Sequence, residues 1–391
     1  MNINTLRDDT PGTKNVIHFN NAGASLMPKN VSESVINYLR EESLYGGYET
    51  ADKNRDSINK AYSSIAEFIN ARPNEIALLE NATAAWNMAF FSIDFSDGDR
   101  ILTSISEYAS NFISYLRLQE KADVNLEIIP NDEHGQTSVS SLKKMMDKNV
   151  KLISITHIPT NSGLVNPVEK IGDITQEYDC FYLVDACQSI GQYPVDVQKI
   201  GCDMLSATGR KYLRGPRGTG FLYTKKDQIE NLIPPFIDLH AAEWSSKQKY
   251  ELRNDARRFE NWEMNYAGIM GLQTAVEYAS DIGINQIWKR ITKLAEKLRW
   301  ELAKLPRVSV HDIGEIKGGI ITFTIDSISS REIKNHLSGK GINVSTSSKS
   351  STLLDMEERN LSNLVRASIH YYNTLTEIDQ FIRVVKKIAD R

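Results

Sequence analysis

The sequence predicts an α/β protein in which a large domain with a mostly parallel central sheet is followed by a smaller C-terminal α+β domain. Three observations carry this. From Glu75 onward short apolar runs alternate with amphipathic stretches, the pattern of parallel strands covered by helices on both faces. After about residue 265 the alternation gives way to long helical segments, one further strand and a closing helix. The 391 residues also exceed what a single compact core holds. The expected division is 1–20 as an N-terminal segment packing with the small domain, 21–264 as the large domain and 265–391 as the small one.

Taken in order, Ile76–Leu79, Arg100–Thr103, Leu126–Ile129, Leu152–Thr156 and Phe181–Val184 read as buried strands, because each is a short apolar run bounded by polar or turn-forming residues. Ala84–Phe95, Ser110–Glu120 and Val168–Glu177 read as the helices between them. Phe221–Tyr223 is another strand. Tyr266–Ile282 and Ile284–Leu305 are long helices; in the second, Ile284, Ile287, Trp288, Ile291, Leu294, Leu298 and Leu302 recur at three- and four-residue spacing. Ile320–Ile325 is a strand and Leu375–Asp390 the closing helix. In such folds ligands gather outside the carboxyl ends of the strands, so the loops that follow strands are where chemistry is expected.

Composition excludes several classes. A net charge of −4 gives no basis for a polyanionic partner such as nucleic acid. The apolar runs are too short and too often broken by charge to span a bilayer. The segment MNINTLRDDTPGTKN has no apolar signal core. Cys180, Cys187 and Cys202 form no C-x-x-C pair, so neither a metal site nor a disulfide framework is expected; they read as reduced thiols of a cytoplasmic protein.

Two segments carry chemistry. In Phe181-Tyr182-Leu183-Val184-Asp185-Ala186-Cys187-Gln188 an acid ends an apolar strand, where a carboxylate can pair with a protonated heterocycle nitrogen and Gln188 can bond a neighbouring oxygen. In Ser206-Ala207-Thr208-Gly209-Arg210-Lys211-Tyr212-Leu213-Arg214-Gly215-Pro216-Arg217-Gly218 a lysine stands among cations. Nearby like charge from Arg210, Arg214 and Arg217 lowers a lysine's pKa and favours the neutral amine that an imine requires. Hydroxyls and a guanidinium beside glycine can hold a phosphate. Asn81-Ala82-Thr83-Ala84-Ala85 follows a strand and opens a helix, so its free N–H groups offer a second anion site. An acid for a pyridinium nitrogen, a lysine for an aldehyde and a phosphate cradle are the three needs of pyridoxal 5'-phosphate.

With these motifs in place the chain resembles the class V aminotransferase or cysteine-desulfurase-like branch of fold-type I pyridoxal-phosphate enzymes. The resemblance runs from Phe19-Asn20-Asn21-Ala22-Gly23 to Arg366-Ala367-Ser368-Ile369-His370. It implies that Lys211 is the imine lysine, Asp185 the partner of the pyridine nitrogen and Gln188 that of the phenolic oxygen. It puts Ala82, Thr83, Thr208 and Arg210 at the phosphate, and Tyr108 where the desulfurases stack a histidine on the ring. It puts Arg366 on the substrate carboxylate, with Asn21, Thr160, Asn161 and Tyr48 also on the substrate side. It further implies a homodimer with sites near the interface.

The sequence departs from the desulfurases in one decisive place. Their mobile cysteine nucleophile belongs in the loop read here as Gly341-Ile342-Asn343-Val344-Ser345-Thr346-Ser347-Ser348-Lys349-Ser350-Ser351, which has no cysteine; Ser350 stands about there. A hydroxyl does not carry persulfide sulfur. Near Glu263 the desulfurases instead have a threonine that reaches the partner's phosphate. Tyr45-Gly46-Gly47-Tyr48-Glu49-Thr50-Ala51 and the Arg210–Gly218 segment resemble the hercynylcysteine sulfoxide lyases of ergothioneine biosynthesis, and isopenicillin N epimerases share parts of the pattern. The expected activity is therefore cleavage of the Cβ–S bond of an S-substituted cysteine or its sulfoxide to a thiol product, pyruvate and ammonia; epimerase and aminotransferase are the alternatives.

Overall fold

The computed structural model describes residues Met1–Arg391. The chain opens with helix α1 (Ile3–Asp8), started by the Asn2 side chain accepting from Asn4 N and Thr5 N. Strand β1 (Ile17–His18) and helices α2 (Lys29–Tyr45), α3 (Gly47–Lys53) and α4 (Arg55–Ile69) follow. Alternation then begins with β2 (Ile76–Leu79), α5 (Ala82–Phe90), β3 (Arg100–Ser104), α6 (Ala109–Gln119), β4 (Asn125–Ile129), α7 (Val139–Met145) and β5 (Val150–Thr156). It continues through α8 (Val168–Thr175), β6 (Phe181–Asp185), α9 (Val197–Ile200), β7 (Met204–Thr208) and β8 (Gly220–Thr224). A hairpin, β9 (Ala242–Ser246) and β10 (Lys249–Leu252), precedes α10 (Tyr266–Ile282) and α11 (Ile284–Ala303). The chain closes with β11 (Val308–Val310), β12 (Ile320–Ile325), α12 (Ser330–Ser338), β13 (Ile342–Asn343), β14 (Ser345–Ser348), α13 (Leu353–Glu358), β15 (Asn363–Ser368) and α14 (Leu375–Ala389).

The central sheet has seven strands in the order β2-β8-β7-β6-β5-β3-β4. The five strands β3 to β7 pair in parallel, whereas β8 runs antiparallel to both β7 and β2. The sheet is mostly parallel, as the sequence predicts, although β2, read there among the parallel strands, is antiparallel to β8. The exception arises because the connection from β7 to β8 contains no helix, and a parallel neighbour needs a crossover. Helix α5 is the other departure, ending at Phe90 rather than Phe95. Ser92 donates its hydroxyl back to the Met88 carbonyl just past that end, a side-chain bond that competes with continued helix.

One face of the sheet packs against Trp86, Phe90 and Tyr115 of α5 and α6, with Trp86 and Phe90 stacked at 4.8 Å. The other face packs against α8, α10 and the first turns of α11. A separate antiparallel sheet, β11-β12-β15-β14, encloses a second core with Leu294, Leu298, Leu302, Phe323 and Phe381. This packing corrects the boundary expected at residue 265. Ile269, Leu272 and Val276 of α10 lie in the large core, as do Ile287 and Ile291 of α11, and the small core takes over at Leu294. The apolar stripe of α11 is continuous, so its spacing could not show that two cores share it. The N-terminal segment also divides: Leu6 joins the large core and Phe19 the small one.

Arg214 binds these parts together. It is 1% exposed, adopts φ 65°, and donates to Leu26 O at 2.8 Å, Thr10 Oγ1 at 2.6 Å and Tyr371 Oη at 2.5 Å. Its guanidinium lies 4.6 Å from the Tyr372 ring centroid. Arg214→Ala strips partners from buried polar groups and is expected to destabilise the protein by about 3 kcal/mol, read as a lower denaturant midpoint.

Candidate active site

Strand β6 ends in Asp185, which is buried at the carboxyl edge of the sheet. Its Oδ1 accepts from Cys187 N at 2.8 Å, a local bond that turns the chain out of the strand. Its Oδ2 accepts from Asn111 Nδ2 of α6 at 3.1 Å. The carboxylate is thus fixed from two sides.

Lys211 follows β7 and lies beside Asp185, Cys187, Arg210 and Arg366. Burial pushes its ammonium below the usual lysine value; Cys187 and Asp185 oppose that push, and Arg210 and Arg366 add to it. Of the three arginines expected around Lys211, only Arg210 bears on it. Arg214 is turned away into the N-terminal segment and Arg217 is exposed; Arg366, remote in sequence, takes their place.

The anion cradle is the start of α5. Asn81 caps it by accepting from Ala84 N at 2.9 Å, leaving the N–H groups of Ala82 and Thr83 outside the helix ladder. Thr83 is exposed and Ala82 buried. Gly220 of β8 lies directly beneath: a Cβ there would stand 2.8 Å from the Asn81 carbonyl carbon and 2.7 Å from Ala207 O. Thr208 ends β7 on the same edge, its hydroxyl donating to Thr219 O at 3.2 Å. Arg210 donates to Gly23 O, which turns part of its guanidinium toward the N-terminal segment.

On the substrate side, Arg366 of β15 is 8% exposed and has no carboxylate within ion-pair distance. It donates through Nη1 to the Thr160 carbonyl and hydroxyl, and its Nε is buried without a partner. Burial lowers its pKa to about 10, which leaves it charged at neutral pH. Gln188 Nε2 donates to Ala22 O at 3.1 Å and reaches Thr160 Oγ1 at 3.5 Å, while its Oε1 is buried and unpaired. Asn161 Nδ2 donates to Thr352 Oγ1 at 2.5 Å, and its Oδ1 is likewise unpaired. Tyr108 caps the start of α6, partly buried, near Arg366.

Two expected substrate residues are placed otherwise. The Asn21 amide donates to His18 O and Ser368 O and accepts from Tyr372 Oη; both its hydrogens are engaged, so it is a strut between the N-terminal segment and β15. Tyr48 is 70% exposed on α3, which packs against α2 and α4, and it does not join Arg366 and Lys211 within one chain. His157 and His370 are buried, and burial lowers both pKa values, to about 3 for His157, so both rings are neutral.

The Ser345–Ser351 loop forms β14 and a single turn, with Ser350 exposed and its hydroxyl 2.7 Å from that of Ser348. Burial raises the thiols of Cys180 and Cys187 to about 12 and that of Cys202 higher still. No group of three His, Cys, Asp or Glu side chains converges to hold a metal ion, and no helix is long and apolar enough to cross a membrane.

Sequence reasoning missed Glu107 and Asn111. The segment Ser106–Asn111 drew attention only for Tyr108; Glu107 precedes the cap of α6, and its bonds to Tyr108 N and Asn111 are visible only in the fold.

The residues present fit pyridoxal phosphate. A lysine without an ion-pair partner faces a doubly anchored carboxylate, a capped helix start leaves two N–H groups free, and Gln188 Oε1, Asn161 Oδ1 and Arg366 Nε are buried atoms that the protein itself leaves unsatisfied. Comparison with known proteins agrees. The family profile "Aminotransferase class-V" matches residues 17–381. A protein named "Probable cysteine desulfurase" from Pyrococcus abyssi is 30% identical, covering 98% of this chain and 97% of its own. One of the same name from Methanothermobacter thermautotrophicus is 30% identical, with coverage of 100% and 98%. An apo cysteine desulfurase structure from Thermococcus onnurineus NA1 superimposes with a TM-score of 0.93 at 28% identity, covering 100% of this chain and 99% of that one. These relatives bear the desulfurase name, not that of a sulfoxide lyase or an epimerase. The chain belongs to the class-V aminotransferase family and is a pyridoxal-phosphate-dependent enzyme of fold type I.

Proposed function

We propose that this enzyme is a carbon–sulfur lyase that cleaves the Cβ–S bond of an S-substituted cysteine or cysteine sulfoxide, such as a hercynylcysteine sulfoxide-like compound. The observation that carries this is the combination of a site fit for an α-amino acid with a loop that has no thiol. Arg366 is a buried cation awaiting an anion, the role of a substrate carboxylate. The loop over the site offers serines, and the chain's own thiols are held neutral by burial, which disfavours sulfur transfer through a cysteine persulfide.

Bound pyridoxal phosphate supplies an electron sink for the charge left at Cα. Asp185, anchored by Cys187 N and Asn111 at the end of β6, would pair with the protonated ring nitrogen of the bound cofactor. Lys211, its pKa lowered by burial, is an amine able to take the Cα proton. Arg366 and Thr160 fix the carboxylate, and Asn161, tied to Thr352, places the loop against it. Departure of the sulfur substituent, as a thiol from a thioether or as a sulfenic acid from a sulfoxide, leaves a three-carbon fragment that water converts to pyruvate and ammonia. We also propose a homodimer; Leu39, Leu44, Tyr45 and Tyr48 form an exposed apolar set on α2 and α3 that supports this reading.

The test incubates the cofactor-loaded protein with S-substituted cysteines and their sulfoxides and assays pyruvate, alanine and amino-acid configuration. Pyruvate with ammonia is the expected result. Alanine released from cysteine would replace this reading with desulfuration, inverted amino acid with epimerisation, and keto acid formed only with a second keto acid with transamination.

A further inference from the structure

Glu107 lies between β3 and α6 and is 3% exposed. Its Oε1 accepts from Tyr108 N at 2.8 Å, Asn111 Nδ2 at 2.8 Å and Thr156 Oγ1 at 2.5 Å. The same Asn111 nitrogen gives its other hydrogen to Asp185 Oδ2 at 3.1 Å. One amide therefore joins two buried carboxyl groups, and only one of them, Asp185, reaches the site. Glu107 Oε2 lies 2.9 Å from Thr103 Oγ1, which is also 2.9 Å from the Ser154 carbonyl oxygen. A hydroxyl has one hydrogen. If Glu107 were ionised, Thr103 would face two acceptors and could satisfy one. With a proton on Oε2, Glu107 donates to Thr103 and Thr103 donates to Ser154, and every contact is satisfied.

We infer that Glu107 is a positioning residue that holds a proton on Oε2 and, through Asn111, fixes the Asp185 carboxylate toward the cofactor nitrogen. The ionisable groups facing Glu107 are Asp185 from β6 and Tyr115 from α6; Thr103 of β3, Thr156 of β5 and Asn111 of α6 are neutral. Burial raises the Glu107 carboxyl to about 7, the Asp185 charge adds to the rise, and the bonds from Thr156, Asn111 and Tyr108 only partly offset it. Burial also raises the Tyr115 hydroxyl, which stays neutral.

The inference rests on the cofactor assignment, and its test separates the two. The variants Glu107→Gln and Glu107→Ala are compared with the wild type by the visible absorbance of the lysine-bound cofactor from pH 5.5 to 8.5, by the dissociation constant for pyridoxal phosphate, and by melting of the cofactor-free protein over the same range. Gln copies the protonated acid, so Glu107→Gln is expected to bind within about threefold of the wild type, while Glu107→Ala, which orphans buried donors, loses about 10- to 100-fold. The absorbance of the wild type is expected to change near pH 7 and that of Glu107→Gln not to. In the cofactor-free protein the folded state holds a proton on Glu107 between about pH 4.5, where an ordinary glutamate titrates, and about 7, so wild-type stability falls as pH rises through that window. Glu107→Gln removes this component of the slope. Equal slopes in wild type and Glu107→Gln, or a Gln variant as weak as Ala, would overturn the inference. Absence of visible absorbance in the wild type would overturn the cofactor assignment instead, and the melts would still judge Glu107.

Discussion

Lys211→Ala is expected to lose the visible cofactor absorbance and at least about 10³-fold in turnover, since it removes both the covalent anchor and the base for the Cα proton. The structure makes this an unusually clean substitution. No carboxylate lies within ion-pair distance of Lys211, and burial already works against its charge. Nothing that holds the fold together is lost, so the melting temperature of the cofactor-free variant is expected to equal or exceed that of the wild type. A stable variant without absorbance or turnover supports the assignment. Retained turnover in a folded variant would remove Lys211 from the chemistry and with it the whole scheme.

Arg366→Ala is the second large effect. The guanidinium is the one buried cation of the site that can grip a carboxylate with two parallel bonds, and its Nε is unsatisfied until something does so. The expected loss is about 10²- to 10³-fold in kcat/KM, carried mostly by KM. Arg366→Lys keeps the charge but not the fork, and should recover only part of the affinity. Thr160 is the internal control: it accepts from Arg366 and sits 3.5 Å from Gln188 Nε2, so Thr160→Val should loosen both neighbours while leaving the cation in place. An unchanged KM in Arg366→Ala would assign the substrate carboxylate to another residue.

These residues differ in how readable they were. Asp185 and Lys211 could be named because strand ends in an α/β sheet converge on one edge, where the two feel each other's charge. The anion cradle was legible for the same reason, with Asn81 announcing a helix start. Arg366 could be named only through family resemblance; its lack of any carboxylate partner is a property of packing that no local pattern expresses. Asn21 was named through the same resemblance, and only the fold shows Tyr372, His18 and Ser368 engaging its amide. The shared core of α11 was hidden because a helix that serves two cores in succession carries one unbroken apolar stripe.

The pairing of β1 with β13 governs the order in which the molecule can be made. Ile17 and His18 lie in register with Ile342 and Asn343, and Phe19, fully buried, packs 5.3 Å from the Phe381 ring. His18 and Asn343 are 325 positions apart. At a synthesis rate of about 5–20 residues per second, β1 waits roughly 15–65 s for the strand it pairs with. During that interval the large sheet can assemble, but Phe19 has no core to enter. Phe19 therefore leaves the ribosome long before its core exists, while Leu6 can join the large core earlier, and any nascent chain stalled before residue 342 carries an exposed aromatic for chaperones or for another chain to find.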